Sequence, residues 1–175
     1  IPLKSLDQLT VLNETIENDS QYQAAGTDYI ESAYDNPPYI RIETIMLKAF
    51  DEMPQFSIPN HSTAPSHRVY ELRSYEGPTE KMFRRKMEMF NAGGEIKLFK
   101  KLDFNAVFYA EVISGSTMPN LMYMTTFSDM KSHDEHWNTF RNHPEWKKLS
   151  GMEKYQHTVS NSVKQLLKPT DYSDL

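Results

Sequence analysis

Three side chains able to hold or move charge recur at every second position of one short run, HRVYELRSY (His67–Tyr75): Glu71, Arg73 and Tyr75. A period of two is the signature of a β-strand, so these three share one face while Tyr70 and Leu72 occupy the other. A guanidinium between a carboxylate and a phenol suits the capture of an anionic or carbonyl oxygen, with the carboxylate available as a base. The same alternation along Phe104–Ile113 and Leu121–Phe127 assigns Val107, Tyr109, Glu111, Tyr123 and Thr125 to the face of Glu71. The expected ligand-binding set is therefore Glu71, Arg73, Tyr75, Tyr109, Glu111 and Tyr123, joined by Trp137, and the base candidates are Glu71, Glu111 and His133. The pattern predicts that this amphipathic face looks into a polar cavity between two sheets, the apolar alternate residues lying under the helices. An unpaired buried charge costs on the order of several kcal/mol, so Arg73 is expected to pair internally with Glu71 or Glu111. An ordinary solvated face and a structural ion pair are the alternatives.

A second constellation is HDEH (His133–His136), on a helix in which Met130, His133, Trp137 and Phe140 form a stripe. Two histidines three residues apart beside carboxylates are a weak metal pattern, and a histidine inside an apolar stripe is more simply a hydrogen-bonded core residue. No metal or other cofactor is expected. Trp137, Phe140, Trp146 and Tyr155 read most simply as packing aromatics, and His61 and His67 as exposed.

The elements that must position these groups follow from periodicity and punctuation. After the first strand, Gly77 and Pro78 precede a helix with Phe83, Met87 and Phe90 on one stripe, ended by Gly93 and Gly94. IKLFKKL is ambiguous, readable as a further helical turn. Strands over 104–113 and 121–127 follow, then a helix capped by Ser128 and interrupted at NHPEW, then a strand within 158–167. This βαββαβ order is that of a ferredoxin-like α+β unit, an antiparallel sheet with both helices on one face. Upstream, residues 51–66 carry Pro54, Pro59 and Pro65 without periodicity and read as a linker. Residues 1–50 hold a helix opened by a Ser5–Gln8 capping box and a strand in PPYIRIETIMLKAF; NDSQYQ (Asn18–Gln23) aligns with NHPEWK (Asn142–Lys147), which suggests part of a second such unit. The expected domains are thus 1–50, 51–66 and 67–169.

The totals narrow the field. With 175 residues, 38% apolar, 25% charged and a net charge of -5, the chain has the composition of a globular domain without the basic excess that nucleic acid or an anionic membrane would select. No cysteine is present, which removes disulfides and thiolate nucleophiles. No apolar run approaches a membrane span, and no phosphate loop or Gly-x-Ser-x-Gly elbow occurs.

VYELRSY and TTFSDMKSHDEHWNTFRNHPEW, with the strands between them, resemble the NIPSNAP family, marked by a Tyr-Glu-x-Arg-x-Tyr first strand and an aromatic helix ending in a Pro-Glu-Trp kink. The resemblance spans about Arg68–Leu167. It implies a dimeric α+β barrel, two sheets packed bare face to bare face, in a superfamily that also contains small monooxygenases and haem-degrading enzymes. It further implies a homodimer, or a preceding segment completing the sheet, and export of tandem bacterial relatives; a start without Met fits a processed terminus. The expected function is binding of a small organic ligand, with a non-enzymatic interaction module or a cofactor-independent monooxygenase as alternatives.

Overall fold

The computed structural model describes residues 1–175, which divide into two units, Ile1–Glu43 and Thr44–Leu175. The first contains helices α1 (Asp7–Glu17), α2 (Ser20–Ala25) and α3 (Thr27–Ile30), none of which buries a residue. The expected capping box at Ser5 does not form, because α1 starts one residue later behind Leu6, which offers no side-chain acceptor. Asp19 caps α2 instead, accepting from the amides of Gln21 and Tyr22 at 2.8 and 2.9 Å. The break between α1 and α2 thus has the form of a helix stop followed at once by a capped restart.

The second unit is built on a five-stranded antiparallel sheet in the order β1-β3-β4-β2-β5. Its strands are β1 (Met46–Ala49), β2 (Val69–Glu76), β3 (Ala106–Ser114), β4 (Asn120–Phe127) and β5 (Asn161–Leu167). The four later strands reproduce the ferredoxin-like order, and β1 adds to the β3 edge. Arg73 stands opposite Tyr123 on one side and Lys164 on the other, a register that brings three strands to one site.

Helices cover one sheet face. Thr79 caps α4 (Glu80–Phe90), whose Phe83, Lys86, Met89 and Phe90 are buried. The ambiguous IKLFKKL is helical, forming α5 (Glu95–Lys101) behind Gly94 at φ +93°, a left-handed turn that glycine enters without steric cost. The cap of α6 (Met130–Asn142) is Asp129 rather than Ser128, its carboxylate accepting from the amide of Ser132 at 2.7 Å. His143 then caps α7 (Pro144–Ser150), with Pro144 at the first helical position, where its missing N–H leaves nothing unsatisfied. The core between helices and sheet is largely aromatic: Phe99 stacks on Phe140 with centroids 4.6 Å apart, and Phe104 meets the edge of Trp137 at 4.8 Å. Burying such rings supplies much of the favourable free energy of a fold this size.

The sheet faces are the reverse of those expected from the pattern. Grouping by alternation holds along β2 and β4 and is interrupted on β3 by a bulge at Val107, but Glu71, Arg73, Tyr75, Tyr109 and Tyr123 lie under the helices, where the core aromatics and Trp137 contact them. Leu72, Phe108, Met122 and Met124 lie on the opposite face. The charges misled because polarity alone is a poor guide to burial once a carboxylate and a guanidinium satisfy each other. The linker expected over 51–66 has no long regular element, yet it is tied down: Ser57 donates to the carbonyl of Val107, and His61 bonds the hydroxyl of Thr126 at 2.8 Å. His61 is accordingly half-buried rather than exposed. No helix is long and apolar enough to cross a membrane.

Candidate functional site

β2 and α6 bring the candidate groups together. On α6, His133, Trp137 and Arg141 follow at i, i+4 and i+8 and so form one stripe over the sheet. The stripe meets Glu71, whose Oε1 pairs with Arg73 Nη2 at 2.8 Å. The other oxygen, Oε2, accepts from the indole N–H of Trp137 at 2.6 Å and faces His133 Nε2 at 3.3 Å. His133 Nδ1 in turn lies 2.8 Å from Asp134 Oδ1. Glu71 and Arg73 are buried, so this is a desolvated pair kept tolerable by saturation of the carboxylate.

Arg73 lies flat on Trp137, with Cζ 3.5 Å from the ring centroid. Its Nη1 donates to the Tyr75 hydroxyl at 3.0 Å, and that hydroxyl bonds the hydroxyl of Tyr123 at 2.8 Å. Burial alone would lower the pKa of Arg73, but the phenols of Tyr123 and Tyr75 and the carboxylate of Glu71 outweigh it and hold the guanidinium above its ordinary value. Burial raises the phenol of Tyr123, with Tyr75 adding to the effect.

Outside this network opens a cleft of about 330 Å³. Glu71, Arg73, Lys164 and Leu166 line it from the strands, and His133, Asp134, Trp137 and Arg141 from α6. Of the expected ligand-binding residues, Glu71, Arg73 and Trp137 reach it, as does the base candidate His133. Tyr75 and Tyr123 stand behind Arg73. Tyr109 packs on Phe99 in the closed core, its phenol raised by burial and then by Glu95. Glu111 is on β3, separated from β2 by β4, and is not part of the lining.

Arg141 and Lys164 were not foreseen. The helical spacing from Trp137 could have found Arg141, whereas Lys164 depends on the register of β5, which local sequence does not encode. Neither cation has an ion-pair partner, while Arg73 is paired to Glu71 and Asp134 to His133. The two histidines of HDEH diverge: His136 bonds Ser132 and lines a separate cleft of about 220 Å³ with His61 and Thr126. No group of three or more His, Asp or Glu side chains converges at a spacing suited to a metal ion.

A second buried ion pair lies deeper. Lys86 Nζ is 2.9 Å from Glu95 Oε2, both side chains buried, and the ammonium sits 4.7 Å from the ring centroid of Phe90 and 5.6 Å from that of Tyr75. Burial raises the carboxyl of Glu95, and Lys86 opposes that shift.

A β-sheet in this order with paired α4–α5 and α6–α7 helices on one face defines a ferredoxin-like α+β class, and comparison with known proteins places it more closely. The NIPSNAP family model matches residues 70–174, more than half of the chain, and the chain belongs to that family. Similar solved structures include a NIPSNAP family protein from Agrobacterium tumefaciens, 19% identical with a TM-score of 0.54, covering 62% of this chain and 99% of that one. A NIPSNAP-like domain protein from Burkholderia xenovorans is 17% identical with a TM-score of 0.55, over 62% and 90% of the two chains. A further Agrobacterium tumefaciens NIPSNAP family protein, described as of unknown function, is 20% identical with a TM-score of 0.52, over 67% and 99%. At these identities the likeness is one of fold. No curated protein matches the chain.

Proposed function

We propose that this NIPSNAP protein binds a small organic anion in the cleft between α6 and the β2–β5 edge of the sheet. The observation that carries the reading is charge imbalance: Arg141 and Lys164 face a cleft whose carboxylates already have partners. An anion entering there gains two exposed cations without displacing an internal ion pair. Glu71 is a poor free base, since Arg73, Trp137 and His133 occupy its oxygens. The reading is therefore of binding first, with His133 the group best placed for proton transfer.

Isothermal titration with acetate and with inorganic phosphate, at constant ionic strength, tests it. Measurable binding that falls at least about tenfold in the Arg141→Ala/Lys164→Ala double variant, about 1.4 kcal/mol, is expected. Binding unaffected by that variant overturns the reading.

The apolar sheet face opposite α4–α7, with half-buried Leu72, Phe108, Met122 and Met124, supports a homodimer built by sheet-on-sheet packing. Sedimentation equilibrium returning only monomer at micromolar concentration removes that part. The likeness of the α1–α2 break to the α6–α7 break, each a stop with a capped restart, supports reading the helices within residues 1–50 as part of a second unit, while the strand expected with them, β1, joins the β3 edge.

A further inference from the structure

We infer that the ligand this cleft selects is a flat arene carboxylate, its ring laid on the guanidinium plane of Arg73 and its carboxylate met by Arg141 and Lys164; this rests on the anion-binding reading above. The guanidinium is planar, and one of its two faces is occupied by the indole of Trp137 at 3.5 Å. Each terminal nitrogen commits one N–H inward, Nη2 to Glu71 at 2.8 Å and Nη1 to Tyr75 at 3.0 Å. Nε is buried and has no partner. Arg73 lines the cleft although its side chain is only 9% exposed, and with one face covered by Trp137 the small area it presents there is assigned to its second face. A guanidinium plane stacks on flat π systems, to which it presents both dispersion and charge.

Trp137 cannot serve that purpose itself. Arg73 covers one side of the indole, and Phe99, Phe104 and Phe140 meet it edge-on at 5.7, 4.8 and 5.6 Å. Its part is to hold Arg73 and Glu71 in place, as a positioning residue. Leu166, opposite Glu71 on β5, adds an apolar side chain to the lining, which suits a ring better than a fully hydrated anion. The volume of about 330 Å³ is at the lower end of the range for small-ligand sites, enough for one or two fused rings.

The experiment compares benzoate with cyclohexanecarboxylate by isothermal titration. The two match in charge and size and are both ionised at neutral pH, but differ in flatness. The expected result is benzoate binding tighter by about tenfold, with both ligands weakened in Arg141→Ala/Lys164→Ala. In Arg73→Lys, which keeps the charge and removes the plane, the preference should shrink toward unity while weak anion binding persists, provided circular dichroism shows the fold intact. Equal affinities in the unaltered protein, both lost in the double variant, overturn the stacking inference and leave the anion site standing. Binding of neither ligand overturns the site itself. The ratio in the unaltered protein decides the question even if Arg73→Lys does not fold.

Discussion

Two buried ion pairs share the layer between sheet and helices, and they differ in what lies beyond them. Lys86–Glu95 is enclosed by Phe90, Tyr75 and other core groups and has no cleft at its back. Glu71–Arg73 has a cleft on one side and, on the other, a chain of contacts to Trp137, His133, Tyr75 and Tyr123. The first joins α4 to α5 across the layer and has no outlet. The second, though buried, forms part of the wall of a cleft and is held in a fixed geometry there, which is how a binding site is preorganised. Desolvated charge is thus not by itself a functional signal in this fold; its neighbourhood decides.

The contrast is sharpest in stability. Lys86→Ala strands the Glu95 carboxylate in an apolar layer and should cost about 3–5 kcal/mol in urea unfolding, whereas Arg73→Ala, with water able to enter from the cleft, should cost about 2–3 kcal/mol. Equal losses would break the distinction between an enclosed pair and one beside an opening. A smaller effect appears at high pH. The folded protein keeps the phenol protons of Tyr109 and Tyr123 where the unfolded chain, at the ordinary value of 10.0, releases them. Stability from these groups is therefore complete below about pH 10 and is lost as pH rises beyond it. Tyrosinate absorbance should show a final step coinciding with loss of circular dichroism. The smallest effect belongs to the cleft rim: Arg141→Ala and Lys164→Ala should each move the unfolding free energy by less than about 0.5 kcal/mol, because neither has a partner to lose. A large change at either would mean that the rim holds the fold together.

Much of the fold was legible from period and punctuation, because alternation in VYELRSY and helical spacing in the HDEHW region are local properties of the chain. Which sheet face the helices cover was not, since it depends on long-range pairing rather than on any one strand. Reading the charges of Glu71 and Arg73 as a mark of the helix-free side inverted the layers, although the same residues were correctly grouped. At the site, Glu71, Arg73, His133 and Trp137 came from pattern alone. Tyr109 and Glu111 shared their alternation but sit on β3, too far across the sheet to join them. Lys164 was invisible because its neighbour is set by how β5 pairs with β2, which brings it opposite Arg73 from 91 positions along the chain.

Every residue of β5 is exposed, and this strand is hydrogen-bonded to β2 alone. Lys164 and Leu166 therefore sit on a flap hinged along a single seam, whereas the floor they face is clamped on both sides. Local opening of that seam detaches one jaw of the site while leaving the aromatic interior untouched. Amide exchange along Asn161–Leu167 should consequently outpace that of β4, and a guest that touches both jaws will slow it.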